Sequence, residues 1–225
     1  MAGMTDYSAT NWLAYITGKT AMPATPTAFI GLFTTAPTSD SGVTGAVEVS
    51  GGSNARQQVS GANWNTPSNS SGSEPSVTPA STSNSGTITF PVATANWGTV
   101  VAFGIFDAVT AGNLLAWDYI GAFSWLPFSC SSASPGVLTS PAHGYSTNDP
   151  VVVTAKYGGT LPATSGSWAG VLTVTTITAD TFSVAVNTTS TGDGLVRKIV
   201  QQSVPTGVQA SFAGGAPGAL VLKAA

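Results

Sequence analysis

Residues able to do chemistry are sparse in this chain, and their spacing decides which reactions are worth weighing. Nine acidic residues are scattered over 225 positions. Asp107 and Asp118 come nearest to a pair, facing each other across an expected hairpin. Two carboxylates held about 5 to 9 Å apart in a cleft would suit glycoside hydrolysis. Turn caps or edge-strand charges are the commoner use of acids at such positions, and that reading is preferred. Cys130 and His143 are the single cysteine and the single histidine, so only they could make a thiolate with its base. His143 sits in a turn-like Pro-Ala-His-Gly, whereas Cys130 reads as a small buried hydrophobe with no partner for a disulfide. One histidine and one cysteine do not make a transition-metal site. No catalytic residue, cofactor or metal ligand is expected, and the chain is not read as an enzyme.

Two further groups concern binding. The run EVSGGSNARQ, 48–57, has the glycines of a phosphate cradle. It lacks the Gly-Lys-Ser or Gly-Lys-Thr ending and the following helix, so a tight turn is preferred, with Glu48 and Arg56 placed to pair across it. Tyr145, Tyr157 and Trp168 are the candidate surface-contact residues, because aromatic faces stack on sugars while their polar tips stay wet. Trp168 reads first as a core residue of its own segment, and the contact role is the alternative.

Composition narrows the partners. Only 7% of residues are charged and the net charge is −3, against about 25% charged in an average domain. Arg197 and Lys198 form the only basic pair, so no cationic patch exists to displace counterions from nucleic acid. No apolar run reaches the ~20 residues that span a bilayer, and no basic segment followed by an apolar stretch opens the chain. The expectation is a protein made in the cytoplasm without a secretory signal, with no membrane insertion and a surface of Ser, Thr, Asn, Gln and Gly.

The elements that must position these residues are mostly strands. Trp12, Leu13 and Ile16 give segment 6–17 a helical apolar pattern, with Asp6 as a possible N-cap and Gly18 as the stop. Pro23 and Pro26 end that region, and an apolar strand follows over 27–33. Segment 65–86 is almost wholly Ser, Thr, Pro, Gly and Asn, with little apolar surface to offset ordering entropy. In 87–121 the alternation of Ile88, Phe90 and Val92, then of Val101, Phe103 and Ile105, marks strands. Ala102 and Gly104 leave room on the opposite face, and Ala111, Gly112 and Asn113 supply a turn before Leu114. An aromatic link over 123–128 leads to short strands at 151–153, 170–174, 181–186 and 195–196, about ten residues apart, as in a small barrel or sandwich.

The segments EVSGGSNARQ, TITFPVATANWGTVVAFGIFDA and AGNLLAWDYIG resemble a family of small tailed-bacteriophage structural proteins, often labelled tail-fibre proteins. In that family a last hairpin closes the domain. Here that ending returns only in VPTGVQASFAGGAPGALVL, 204–222, so the resemblance covers about residues 5–122 and 203–222. The intervening SPAHGYSTNDPVVV and ITADTFSVAV are similar to small β modules of phage tail and surface proteins. The resulting expectation is a mainly β chain: an antiparallel β-sandwich-like host domain with one short N-terminal helix, plus an inserted small all-β barrel or sandwich module. The domains are 1–122, an insertion at 123–202, and closing strands at 203–225.

The function implied is that of a non-enzymatic bacteriophage virion structural protein, displayed on the particle surface. No heptads, collagen-like triplets or long repeats are present to build a shaft. Capsid decoration with a projecting β module is therefore the first reading. The alternative is a tail-fibre or tail-tip protein for host adsorption through a receptor or glycan. Expected partners are other virion proteins, either major capsid or tail proteins, together with copies of the chain in a homo-oligomer such as a trimer.

Overall fold

The computed structural model describes residues 3–21, 27–68, 81–121, 124–156, 159–176, 178–215 and 219–223. Pro23, Pro26, the greater part of the polar segment 65–86, Phe123 and Tyr157 lie outside them. The chain divides into two compact units, 1–122 with 201–225 and, between them, 123–200. Both are built almost entirely of antiparallel strands.

The first unit opens with β1 (Gly3–Met4) and the helix α1 (Asp6–Ile16). Thr5, not Asp6, is the N-cap: its hydroxyl accepts the Ser8 N–H, while Asp6 takes the first turn, where an acid meets the positive helix end. Then come β2 (Ala28–Thr35), β3 (Val47–Glu48), β4 (Gln57–Val59) and β5 (Ser81–Ser83). They are followed by β6 (Ile88–Val92), β7 (Thr99–Val100), β8 (Ala102–Phe106) and β9 (Leu114–Tyr119). Six of these strands form one sheet in the order β1-β9-β8-β2-β3, with β4 also paired to β2.

Strand β8 is buried on both faces, and its two faces are filled differently. Phe103 and Ile105 join Ile30 and Leu32 of β2 in a core that also holds Ile88, Phe90, Trp97, Ala210 and Phe212. This apolar layer between the large sheet and its smaller neighbours makes the unit sandwich-like. On the other face Gly104 is required by close approach, since a Cβ there would lie 2.6 Å from Leu114 Cδ1 and 2.7 Å from Phe33 Cε2. The turn between β8 and β9 uses positive φ at Ala111 and Gly112, as the sequence predicts.

The second unit is a closed barrel of six strands. They are β10 (Leu126–Cys130), β11 (Val137–Thr139), β12 (Pro150–Thr154), β13 (Leu172–Thr176), β14 (Thr181–Val184) and β15 (Gly192–Lys198). The aromatic link expected over 123–128 thus contains the start of a barrel strand. Its alternation was masked by Pro127, which points outward while Phe128 and Cys130 enter the core. Closure leaves none of these six strands at an open edge, which is how a small β structure avoids stray pairing.

The chain then returns to the first unit as β16 (Gln202–Ser203), β17 (Gln209–Phe212) and β18 (Val221–Lys223). These pair with β7, β6 and β5 respectively. Buried Asn84 latches them: its amide nitrogen donates to Gly86 and Ala213 carbonyls, and its oxygen accepts the Leu220 N–H. The first unit is therefore completed only by residues that follow the barrel.

The splice between the two stretches is visible in the ladder. Along positions 102, 101, 100 and 99 the partners are Tyr119, Ile120, Gln202 and Ser203. Gln202 occupies the step that residue 121 would take in an uninterrupted strand. In the barrel, likewise, Leu126 near the start pairs with Val196 near the end. Each unit thus holds its own two cut ends side by side, the condition under which insertions are tolerated. Replacing 123–200 with a two-residue Gly-Ser link is expected to leave a cooperatively unfolding β domain, and 123–200 made alone is expected to fold. Circular dichroism with thermal melts of both products checks this; a molten first unit would contradict it.

Candidate functional site

The Gly-rich run around 51–53 is a turn latched to the core. The Gly52 carbonyl accepts the indole N–H of buried Trp97 at 2.8 Å and the Thr94 N–H at 3.0 Å. Its backbone is spent on the protein itself, and β4 rather than a helix follows. Arg56, at the end of the run, is an organising cation. It pairs with both oxygens of Glu48, at 2.7 and 2.8 Å, donates to the carbonyls of Ala108 and Ala111, and lies 3.3 Å over the Phe106 ring centre. With a side chain only 10% exposed, it joins the β3–β4 connection to the β8–β9 turn.

The two acids weighed for glycoside hydrolysis are not brought together. Both Asp107 oxygens cap the turn, accepting the backbone and side-chain N–H groups of Asn113. Asp118 lies five residues along β9 from Asn113 and opposite Phe103. At about 3.4 Å per residue that is a separation of roughly 17 Å, beyond the range of either glycosidase geometry. The expected facing of Asp107 and Asp118 is corrected by the register.

His143 and Cys130 are likewise engaged elsewhere. Imidazole Nδ1 accepts the Tyr145 N–H at 2.9 Å, and Nε2 faces the Thr178 carbonyl at 3.2 Å, which fixes the proton on Nε2. The ring is buried against Tyr145 and Phe182. Cys130 is a core residue whose thiol is pushed up by burial, partly offset by a hydrogen bond with Thr188. Among the described residues no group of three or more His, Cys, Asp or Glu is placed to hold a metal. No helix of the described residues is long and apolar enough to cross a membrane.

The aromatic candidates do not make one exposed platform. Trp168 is buried in the barrel core at 8% exposure, packs on Phe128, and donates its indole N–H to the Pro162 carbonyl. It is the core residue of the first reading. Tyr145 is half-buried, edge-on to Phe182, with its hydroxyl pushed up to about 12 by burial and by the Asp149 charge. Tyr157 lies outside the described residues.

What the barrel does present is uncharged polarity. Exposed hydroxyls include Ser132, Ser134, Thr139, Thr147, Thr173 and Thr175. Its three acids, Asp149, Asp180 and Asp193, balance its three bases, Lys156, Arg197 and Lys198. Lys156 pairs with Asp193 and Lys198 with Asp149, and Asp180 accepts the Ala142 N–H. Composition had signalled this coat, but which hydroxyls face outward depends on a register set by barrel closure.

Two substitutions test these assignments. Arg56→Lys keeps the charge but loses the two-pronged pairing and the carbonyl bonds; about 2 to 4 kcal/mol of stability should go, read by chemical denaturation. At Asp149, burial pushes the carboxyl up. The Lys198 hydrogen bond, the Ser146 N–H and the Lys198 charge together outweigh it and hold the group below its ordinary 3.8. A lowered folded value stabilises above pH 3.8 and is lost as pH falls through the folded value. The melting-temperature gap between wild type and Asp149→Asn should therefore be open at neutral pH and close on acidification below that point; a gap independent of pH would refute the pairing.

A family model described as Podophage GP4 fiber I protein gp80 matches residues 3–122. The match ends where the barrel unit begins, at residue 123. No curated protein matches the chain.

Proposed function

The chain belongs to the podophage GP4 fiber I protein gp80 family, and from that premise we propose that it is a tail-fibre protein of the virion whose barrel contacts the host surface during adsorption. The family match carries this reading, because it describes a fibre protein and covers the stretch that builds most of the first unit. Capsid decoration, the first reading of a chain without shaft repeats, is the weaker one: the matched family is a fibre family. The partners that follow are other tail proteins, through the first unit, and a host receptor or glycan, through the barrel.

Three features support giving the contact to the barrel. It lies outside the family match, the chain leaves and re-enters the first unit at adjacent positions, with Ile120 bonded to Val101 and Gln202 paired with Val100, and its net-neutral surface carries many exposed hydroxyls. Such a surface suits hydrogen bonding to the hydroxyls of a glycan, and it predicts a contact that added salt barely weakens. Fluorescently labelled full-length chain should bind host cells and compete with phage adsorption, in low and high salt alike. The chain lacking 123–200 should do neither; equal competition by the truncated chain would move the contact to the first unit.

A further inference from the structure

Helix α1 has no buried residue along its eleven positions. Among the described residues its ties to the rest of the unit are at its start. Thr5 donates its hydroxyl to the Leu114 carbonyl, Ser8 donates its own to the Leu115 carbonyl at 2.8 Å, and the Asp6 N–H reaches the Asp40 carbonyl at 2.8 Å. Trp12 and Ile16 follow Ser8 at i+4 and i+8, so all three form one ridge of the helix. Leu13 flanks that ridge within about 100° of arc. The ridge begins against β9 and then runs on uncovered, with Trp12 49%, Leu13 57% and Ile16 57% exposed. Tyr15 stacks on Trp12 with ring centres 5.4 Å apart and holds that ring in place.

We propose that this ridge is a self-association surface, covered in solution by α1 of a second copy of the chain. The choice of a second copy rests on charge and on area. In a contact between identical surfaces each group meets its own kind, so charges on the ridge would repel. The ridge has none: the helix's only charged residue is Asp6, at the anchored end. The three apolar side chains offer on the order of 350 Å² per copy, or about 700 Å² for two. At the roughly 65% apolar content of subunit interfaces this implies about 1,100 Å² in all, just above the ~1,000 Å² that a specific contact needs. Crossed i±4n ridges interdigitate at about −50°, a geometry two copies of this helix can adopt.

The test is the mass of the full chain in solution, by light scattering after gel filtration at tens of micromolar. Wild type should run at two or more times 22.4 kDa. Leu13→Glu and Ile16→Lys should each fall to a single chain with an unchanged melting temperature, because neither side chain is part of the fold's core. Tyr7→Ala, on the opposite side of the helix, should leave the mass as in wild type. A monomeric wild type would overturn the proposal and leave the ridge to another tail protein. So would an oligomer that survives both charged substitutions.

Discussion

The consecutive strands β7 and β8, 99–106, are paired by two stretches of chain that are far apart in sequence. Tyr119 and Ile120 take the first places, and Gln202 and Ser203 take the next. A β ladder needs its donors and acceptors satisfied but is indifferent to how the partners are connected. That indifference lets a whole barrel be carried between two neighbouring residues of one edge. It also explains why the first unit needs its last residues. Without β16, β17 and β18, the strands β7, β6 and β5 would each lose the strand that pairs with them, and the Asn84 amide would keep its bond to Gly86 but lose those to Ala213 and Leu220.

The same ladder divides the labour between the units. On the first, side chains with chemical potential are consumed by structure: Arg56 and Glu48 clamp loop to turn, Asp107 caps, and Trp97 latches the Gly-rich turn. On the second, the charges are balanced, Lys156 and Lys198 pair with Asp193 and Asp149 of the same unit, and Phe128, Trp168 and Phe182 fill the interior. What remains for contact is a neutral hydroxyl surface on the barrel and one uncharged apolar ridge on α1. Chemistry of that kind serves attachment and assembly, in keeping with a fibre family.

Much of the β architecture was legible because alternation and turn chemistry are local. Phe103 and Ile105 against Gly104, and Ala111 with Gly112, announce their strand and turn without knowledge of partners. The Glu48 to Arg56 pairing was also readable, since only a short turn separates them. Asp107 and Asp118 were misplaced relative to each other because facing across a hairpin depends on register: the hairpin is centred near Thr110 and not on Ala111, Gly112 and Asn113, so Asp118 lies opposite Phe103 and Asp107 meets Asn113. The first barrel strand was obscured by Pro127, whose missing N–H argues against a strand although it sits at an outward position. The open ridge of α1 was the least legible feature: Trp12, Leu13 and Ile16 spell a helix that should be buried, and only the fold shows them exposed, with none of the described residues burying them.

A fibre protein whose barrel faces the host, as proposed, carries that barrel on the tail. The most direct measurement is electron microscopy of intact particles labelled with gold-tagged antibody fragments raised against the barrel, 123–200. Label at the fibres or tip of the tail is the predicted result. Label spread over the head capsomers would contradict it and restore capsid decoration.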